Sequence, residues 1–368
     1  MKNLKRLFAL VLCLSMVFAL AACGNGNNDA NTNDNQNGTE QNDSNTNNDA
    51  NTNEPMTEEE ELEAMKSEPA YEKGISYWYS GGNCTASPYV AMKNGYFDKY
   101  GIKVEMYKGE SIKEALGTNA AQIGVSHIAS MMVPITNNVN YTFVAGTIVG
   151  CQSLVVLGDS DINSTADLVG KKISCPNGIG NSSYNIGARF FDRDGIGPLN
   201  DVEFVQVENS ACVAAMQSGE ISAAVMSDTY TYQMVKDGTL KIIRSITYDD
   251  DFNNEPCCVL CMNNDFRNEN PIMAKYVVKA VKEADIWCGE HAEEAVKMLT
   301  EDGFLSGDEA MNPELWNTLK WGVCTDEFTE KALDKLVDDY IRIGLITSIK
   351  DKDKAMEMIW NPLAPENE

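Results

Sequence analysis

Apolar and polar positions follow three different patterns along this chain of 368 residues. Residues 7–20 form an apolar run behind Lys2, Lys5 and Arg6. That is the order of a secretory signal segment, and the run is too short for a membrane span with ordinary flanks. Residues 24–54 are almost entirely Asn, Asp, Thr, Gln and Gly, with no aromatic or large aliphatic side chain. Such a stretch cannot bury enough apolar surface to offset the entropy of ordering, so it reads as a disordered tether. From Ile75 onward, short β-rich runs alternate with stretches of helical period.

The alternation predicts strands over 75–79, 102–107, 122–125, 141–149, 153–157, 172–175, 202–207, 223–226, 240–246 and 257–262. Helices are predicted over 89–100, 110–120, 126–132, 182–194, 210–217 and 227–237, with 271–360 mostly helical. Ser87-Pro88 reads as an N-cap and first-turn pair, and Gly101, Gly195, Gly219 and Gly238 as helix stops. Strands alternating with helices imply an α/β fold with parallel strands and crossover helices. About 290 residues are enough for two domains.

Charge and cysteines narrow the function classes. The formal charge is −26, which excludes nucleic acid as a partner because nothing replaces counterions on phosphate. Nine cysteines follow Cys23, at 84, 151, 175, 212, 257, 258, 261, 288 and 324. They are scattered and odd in number, so they predict no disulfide framework and read as small buried hydrophobes. Their spacing contains no paired C-x2-C, so no metal site is expected. No Ser-His-Asp constellation is visible, and the histidines are His127 and His291.

Leu20-Ala21-Ala22-Cys23 resembles the lipobox of bacterial lipoproteins. The resemblance implies a signal peptide over 1–22, a lipidated Cys23, and a tether over 23–70 on the outer face of a bacterial cell membrane. Two or more acyl chains would make the anchoring stable.

Residues 86–105, from Ala86-Ser87-Pro88-Tyr89 through Asn94-Gly95-Tyr96-Phe97-Asp98 to Val104-Glu105, resemble the opening of one receptor family. Its members are the substrate-binding proteins of ATP-driven nitrate, sulfonate, taurine and thiamine-precursor importers. Further matches follow in order: Gln122-Ile123-Gly124-Val125, residues 167–173, Ser218-Gly219-Glu220-Ile221-Ser222-Ala223-Ala224-Val225, and residues 264–271. The resemblance implies a two-lobe, type II periplasmic-binding-protein-like α/β fold. Lobe one would span 72–155 plus 256–360 and lobe two 156–255, with chain crossings near 153–158 and 254–259. The implied protein is a monomeric receptor without cofactor or catalysis. It would bind a small solute between the lobes and deliver it to an ABC permease and its ATPase.

In that geometry strand ends and helix N-termini face the cleft. The expected lining is Ser80, Asn83, Thr85 and Ser87 at the first strand-to-helix turn, Ser126 and His127 at the next, and Thr147 and Gln152 near the crossing. Asn181, Ser182, Ser183, Asp228 and Tyr230 would come from the second lobe. These segments hold no Lys or Arg, which tilts toward a neutral, zwitterionic or amine-bearing solute. Tyr77, Trp78, Tyr79 and Tyr230 suggest a planar one. Two other readings stay open. Cys257-Cys258-Val259-Leu260-Cys261 is similar to the cysteine-rich stretch of thiamine-pyrimidine synthases, which share the fold. A surface sensor or adhesin is the third class.

Overall fold

The computed structural model describes residues 56–306 and 313–363. The signal segment, Cys23 and the tether up to residue 55 lie outside the described residues.

The chain runs through β1 (Ile75–Trp78), β2 (Val104–Tyr107), β3 (Ile123–His127) and β4 (Tyr141–Val149). It then crosses to β5 (Gln152–Leu157), β6 (Lys172–Ser174), β7 (Glu203–Val205), β8 (Ala223–Ser227) and β9 (Leu240–Ser245). It returns for β10 (Pro256–Asn263) and β11 (Lys320–Trp321). Among the described residues these make two sheets, ordered β11-β4-β10-β3-β1-β2 and β7-β6-β8-β5-β9. Each sheet is the centre of one lobe, so the fold is two-lobed α/β, as the resemblance implies.

The helices are α1 (Glu58–Met65), α2 (Ser87–Lys93), α3 (Tyr96–Lys99), α4 (Ile112–Gly117) and α5 (Ile128–Thr136). In the second lobe lie α6 (Ser182–Arg193), α7 (Asn209–Gln217) and α8 (Asp228–Lys236). After the return come α9 (Asn264–Glu269), α10 (Pro271–Glu290), α11 (Ala292–Glu301), α12 (Pro313–Trp316), α13 (Asp326–Ile343) and α14 (Lys352–Ile359).

The structure departs from the sequence reading in four places. The sheets are mixed rather than parallel. β1 pairs parallel with β2 and β3, whereas β10 is antiparallel to β3 and β4, and β5 to β8 and β9. The strands β4, β5, β9 and β10 carry the chain directly between sheets without a crossover helix, so they are free to pair antiparallel. Second, the outward crossing is at Gly150-Cys151, ahead of 153–158, because residues 152–157 already pair with β8 and β9. Third, the helix expected over 89–100 is broken at Gly95, whose φ of 75° is left-handed.

Fourth, residues 58–68 are not tether. Thr57 and Glu60 form a capping box that starts α1, and Met65 is buried. Glu61 bonds Lys275 at 3.1 Å and Tyr276 at 2.8 Å on α10. The Glu68 carboxylate accepts from the Ile272 and Met273 amides at 2.7 and 2.8 Å, capping α10 from outside its own segment. The acidic run has cationic and amide partners on α10, which is why it docks instead of trailing in solvent.

β10 is buried along its whole length. A Cys/Val/Leu strand suits a central position covered on both faces, and it places Cys257 and Cys258 beside the crossing.

Candidate ligand-binding cleft

The two lobes touch along a seam. From the first lobe, Lys113 on α4 donates to Asn181 Oδ1 at 2.8 Å, and the Ala129 carbonyl on α5 accepts from Asn185 Nδ2 at 2.6 Å. Deeper in the seam Arg189 on α6 is buried between Glu255 at 2.8 Å and Asp339 of α13 at 3.2 Å. Burial opposes its charge, but Glu255 and Asp339 outweigh burial and hold the guanidinium above its ordinary range. Neither Lys113 nor Arg189 lies in the segments read as the cleft. Lys113 sits within a helix pattern and carries no local signal. Arg189 occupies a buried position that binary patterning assigns to an apolar side chain.

The expected lining residues separate into groups. Asn83 is buried at the β1–α2 turn and accepts the Cys84 amide through Oδ1 at 2.8 Å. Thr85 bonds the Gly81 carbonyl, and Ser80 is exposed. Ser126 and His127 are half-buried at the C-terminal end of β3, where His127 occupies the N-cap position of α5 without a side-chain cap bond. Ser182 accepts from Gln152 Nε2 at 3.1 Å, and Ser183 accepts the Asn177 amide at 3.3 Å. Thr147 Oγ1 and Gln152 Oε1 are buried near the crossing without a hydrogen-bond partner. Buried polar atoms without a partner are costly, so these two are exceptions to the rule that the interior satisfies its polar groups.

Some expectations are corrected. Ser87 is not the N-cap and does not line the cleft. It is the first residue of α2, fully buried, with its hydroxyl donating to Asp285 of α10. Tyr77 is a core residue bonded to the Met92 sulfur, and Trp78 Nε1 donates to the Gly109 carbonyl at 3.0 Å, so neither forms a planar platform. Tyr79 stacks on Tyr89 with ring centroids 5.5 Å apart. Tyr230 is exposed. Asp228 is buried, but its carboxylate accepts from Ser153 at 2.6 Å and from Thr247. Its amide donates to the Cys151 carbonyl at 2.8 Å. Burial pushes this carboxyl up to about 6 against the two hydroxyls. Its contacts make it a brace for the crossing.

Spacing along the chain points to no metal site, and here the structure differs most from the sequence. Four separated segments bring their sulfur and imidazole groups together. Antiparallel pairing of β10 with β3 sets Cys258 opposite His127. The turn after β1 brings Cys84, whose thiol lies within 4.8 Å of the Cys258 thiol and the His127 ring. The crossing brings Cys151, disulfide-bonded to Cys257. His127 Nδ1 lies 3.2 Å from Cys257 Sγ and 3.6 Å from Cys151 Sγ, and Cys258 Sγ lies 3.8 Å from Cys257 Sγ. The donor atoms of Cys84, His127, Cys151 and Cys258 all lie within 4.8 Å of one another.

Bonding to Cys258 holds the Cys84 thiol well below its usual range despite burial, while burial pushes Cys258 well above. Cys151 has a φ of 127°, outside the range an L-residue normally adopts. It is held there by its amide on Thr247 Oγ1 at 2.8 Å and its carbonyl on Asp228. A backbone held in that region is over-determined by its surroundings, a feature that clusters at functional sites.

Comparison with known proteins places this geometry. The family described as NMT1/THI5 like matches residues 84–295. The nitrate/nitrite binding protein NrtA of Synechococcus elongatus is 23% identical over 289 residues, 68% of this chain and 63% of that protein. The match therefore spans less than two thirds of that relative. A candidate binding protein of Brucella abortus (strain 2308) is 25% identical over 301 residues, 79% of this chain and 86% of that one. The alkanesulfonate-binding protein SsuA of Xanthomonas axonopodis pv. citri, solved bound to MOPS, has a TM-score of 0.62 at 14% identity. It covers 80% of this chain and 99% of its own. Because the family match takes in the first-lobe turn, both crossings and the whole second lobe, more than half of the sequence, this chain belongs to the NMT1/THI5-like family.

Proposed function

We propose that the chain is an extracytoplasmic solute receptor of an ABC importer, anchored by lipid at Cys23 and acting without catalysis. The observation that carries the reading is the seam itself. Two lobes close over buried, unpartnered Thr147 Oγ1 and Gln152 Oε1, with the start of α6 across from them. A closed form of this kind presents a shape that a permease distinguishes from the open one. The relatives named for nitrate and alkanesulfonate support a small polar solute. The signal-like segment and Cys23 support delivery from a membrane-tethered body, and the low-complexity stretch to residue 54 supplies the reach. Helix N-termini and Lys113 at the seam admit an anionic solute as well as a neutral one.

The test is thermal unfolding of the mature chain with nitrate, taurine, alkyl and aryl sulfonates, aminopyrimidines, thiamine, riboflavin and pyridoxal phosphate. Solute at about 100 times its Kd stabilises by about 2.7 kcal/mol, several degrees of Tm. A shift confined to one chemical class identifies the cargo. Turnover of any of these compounds by the purified protein refutes the receptor reading.

A further inference from the structure

We propose that the dithiol form of this protein binds one thiophilic metal ion, of the Zn2+ or Cu+ class, in the cleft through Cys84, His127, Cys151 and Cys258. The inference rests on the receptor reading only for where the ion goes next; the site itself stands on its own geometry. The argument begins with donor type. Three sulfurs and one imidazole nitrogen form a soft to borderline set that suits zinc or cuprous copper and ill suits Mg2+ or Ca2+.

Size comes next. A tetrahedral zinc with bonds of about 2.3 Å to sulfur has ligand atoms about 3.8 Å apart along each edge. The donors here lie within 4.8 Å of one another, and Cys151 Sγ stands 3.6 Å from His127 Nδ1. A contraction well under the width of an atom closes the set.

Position is the third point. The four ligands come from the β1–α2 turn, the end of β3, the outward crossing and the start of β10. Buried cysteines that only fill a core have no reason to meet one another and a histidine where the lobes join. Cys175, Cys212, Cys261, Cys288 and Cys324 are buried too, and their thiols are not part of this cluster. α5 begins at residue 128, directly after His127, so its N-terminal dipole favours the negative charge that thiolate ligands bring.

The Cys151–Cys257 disulfide makes the site redox-dependent. Opening it takes two electrons and two protons from a dithiol reductant, which leaves as its own disulfide. Each thiol that then ligates releases its proton to solvent as the metal–sulfur bond forms. With the disulfide closed, Cys84, His127 and Cys258 remain, three donors with one position open. The closed form therefore binds more weakly, and Cys257 is the spare thiol of the reduced form.

The experiment uses the full mature chain, reduced with dithiothreitol, desalted under nitrogen and titrated with Co2+ as a spectroscopic probe. One Co2+ per chain is expected, with thiolate-to-cobalt charge-transfer bands that Zn2+ bleaches. A parallel arm with Cu+ in a competing chelator decides between the two ions. Outer-shell partners of metal ligands are worth about 10–100-fold, so Cys84→Ala, Cys258→Ser and His127→Asn should each weaken binding by at least about tenfold. Cys151→Gly removes a ligand while suiting the backbone at φ 127°, which guards against a merely misfolded variant. Cys212→Ser, in the second-lobe helix α7, should bind like the parent.

Absence of the bands in reduced protein overturns the proposal. So do bands that survive both Cys84→Ala and Cys258→Ser, or oxidised protein that binds as tightly as reduced. The two readings fail separately. A melt shifted by nitrate or a sulfonate without cobalt bands removes the metal site and keeps the receptor. Bands with no solute response keep the metal site and make the ion the candidate cargo.

Discussion

At the scale of single residues, the buried carboxylates decide what a substitution means. Asp285 is buried in α10 with Ser87 donating to it, and burial raises its carboxyl well above the usual range. The folded chain therefore binds that proton more tightly than the unfolded chain. Ionised Asp285 is a cost at neutral pH that is relieved as pH falls through the raised folded value, and the relief is complete below the ordinary carboxylate value of 3.8. Asp285→Asn keeps an acceptor for Ser87 without the charge. It should raise stability at pH 8 by about 1–3 kcal/mol, with the advantage shrinking in urea melts taken at lower pH. No pH dependence in the difference would show that the Asp285 carboxyl titrates alike in the folded and unfolded chains, so that burial does not raise it. Asp228→Ala should do the reverse. It strands the Ser153 and Thr247 hydroxyls and should cost about 2–3 kcal/mol in the ligand-free chain. Lost solute binding in that variant thus reports a slackened crossing unless its unliganded melt matches the parent.

At the scale of elements, what the sequence disclosed depends on the range of the interaction that builds each one. Helix stops are local, and Gly101, Gly195, Gly219 and Gly238 all have the left-handed φ their positions predict. Strand positions were legible because β-rich runs and turns are local as well. Strand direction was not, since pairing β10 against β3 and β4 joins residues more than a hundred positions apart. The sulfur cluster was invisible for the same reason: no spacing rule connects residue 84 to 127, 151 and 258. Helix α1 was hidden by its own composition, because an acidic run reads as solvated until its partners on α10 are seen. That docking gives a direct test. Glu68→Ala uncaps α10 and should cost about 1 kcal/mol. A chain starting after Ala70 loses the Glu61 contacts as well, so its midpoint should fall further. Equal midpoints for chains starting at Thr57 and after Ala70 would mean that α1 is decoration.

At the scale of the whole molecule, the lobes are held together by charge placed where a hydrophobic core would otherwise continue. Arg189 leaves α6 in the second lobe to meet Asp339 of the first and Glu255 at the return crossing, with its guanidinium 5.0 Å from the centre of the Phe252 ring. An ion group buried this deeply adds little net stability over apolar side chains of equal volume, because desolvation cancels much of the attraction. What it supplies is geometry: Glu255 meets Arg189, and Asp339 meets Arg189 and Arg193, only when the lobes join in this orientation, while Arg342 serves Asp339 from within α13. Arg189→Ala leaves buried Glu255 with Arg193 at 3.9 Å as its nearest cation, while Asp339 keeps Arg193 at 2.9 Å and Arg342, and should cost about 3 kcal/mol. Combining Arg189→Met with Glu255→Gln and Asp339→Asn removes the charges together and should recover most of that loss. The two variants separate holding from orienting. If the network sets the closed orientation, the triple variant should melt near the parent, yet show a larger radius of gyration by X-ray scattering. A triple variant as compact as the parent would assign closure to the other contacts between the lobes, among them Asn185–Ala129, Lys113–Asn181, Arg342–Asp192 and Lys236–Glu314.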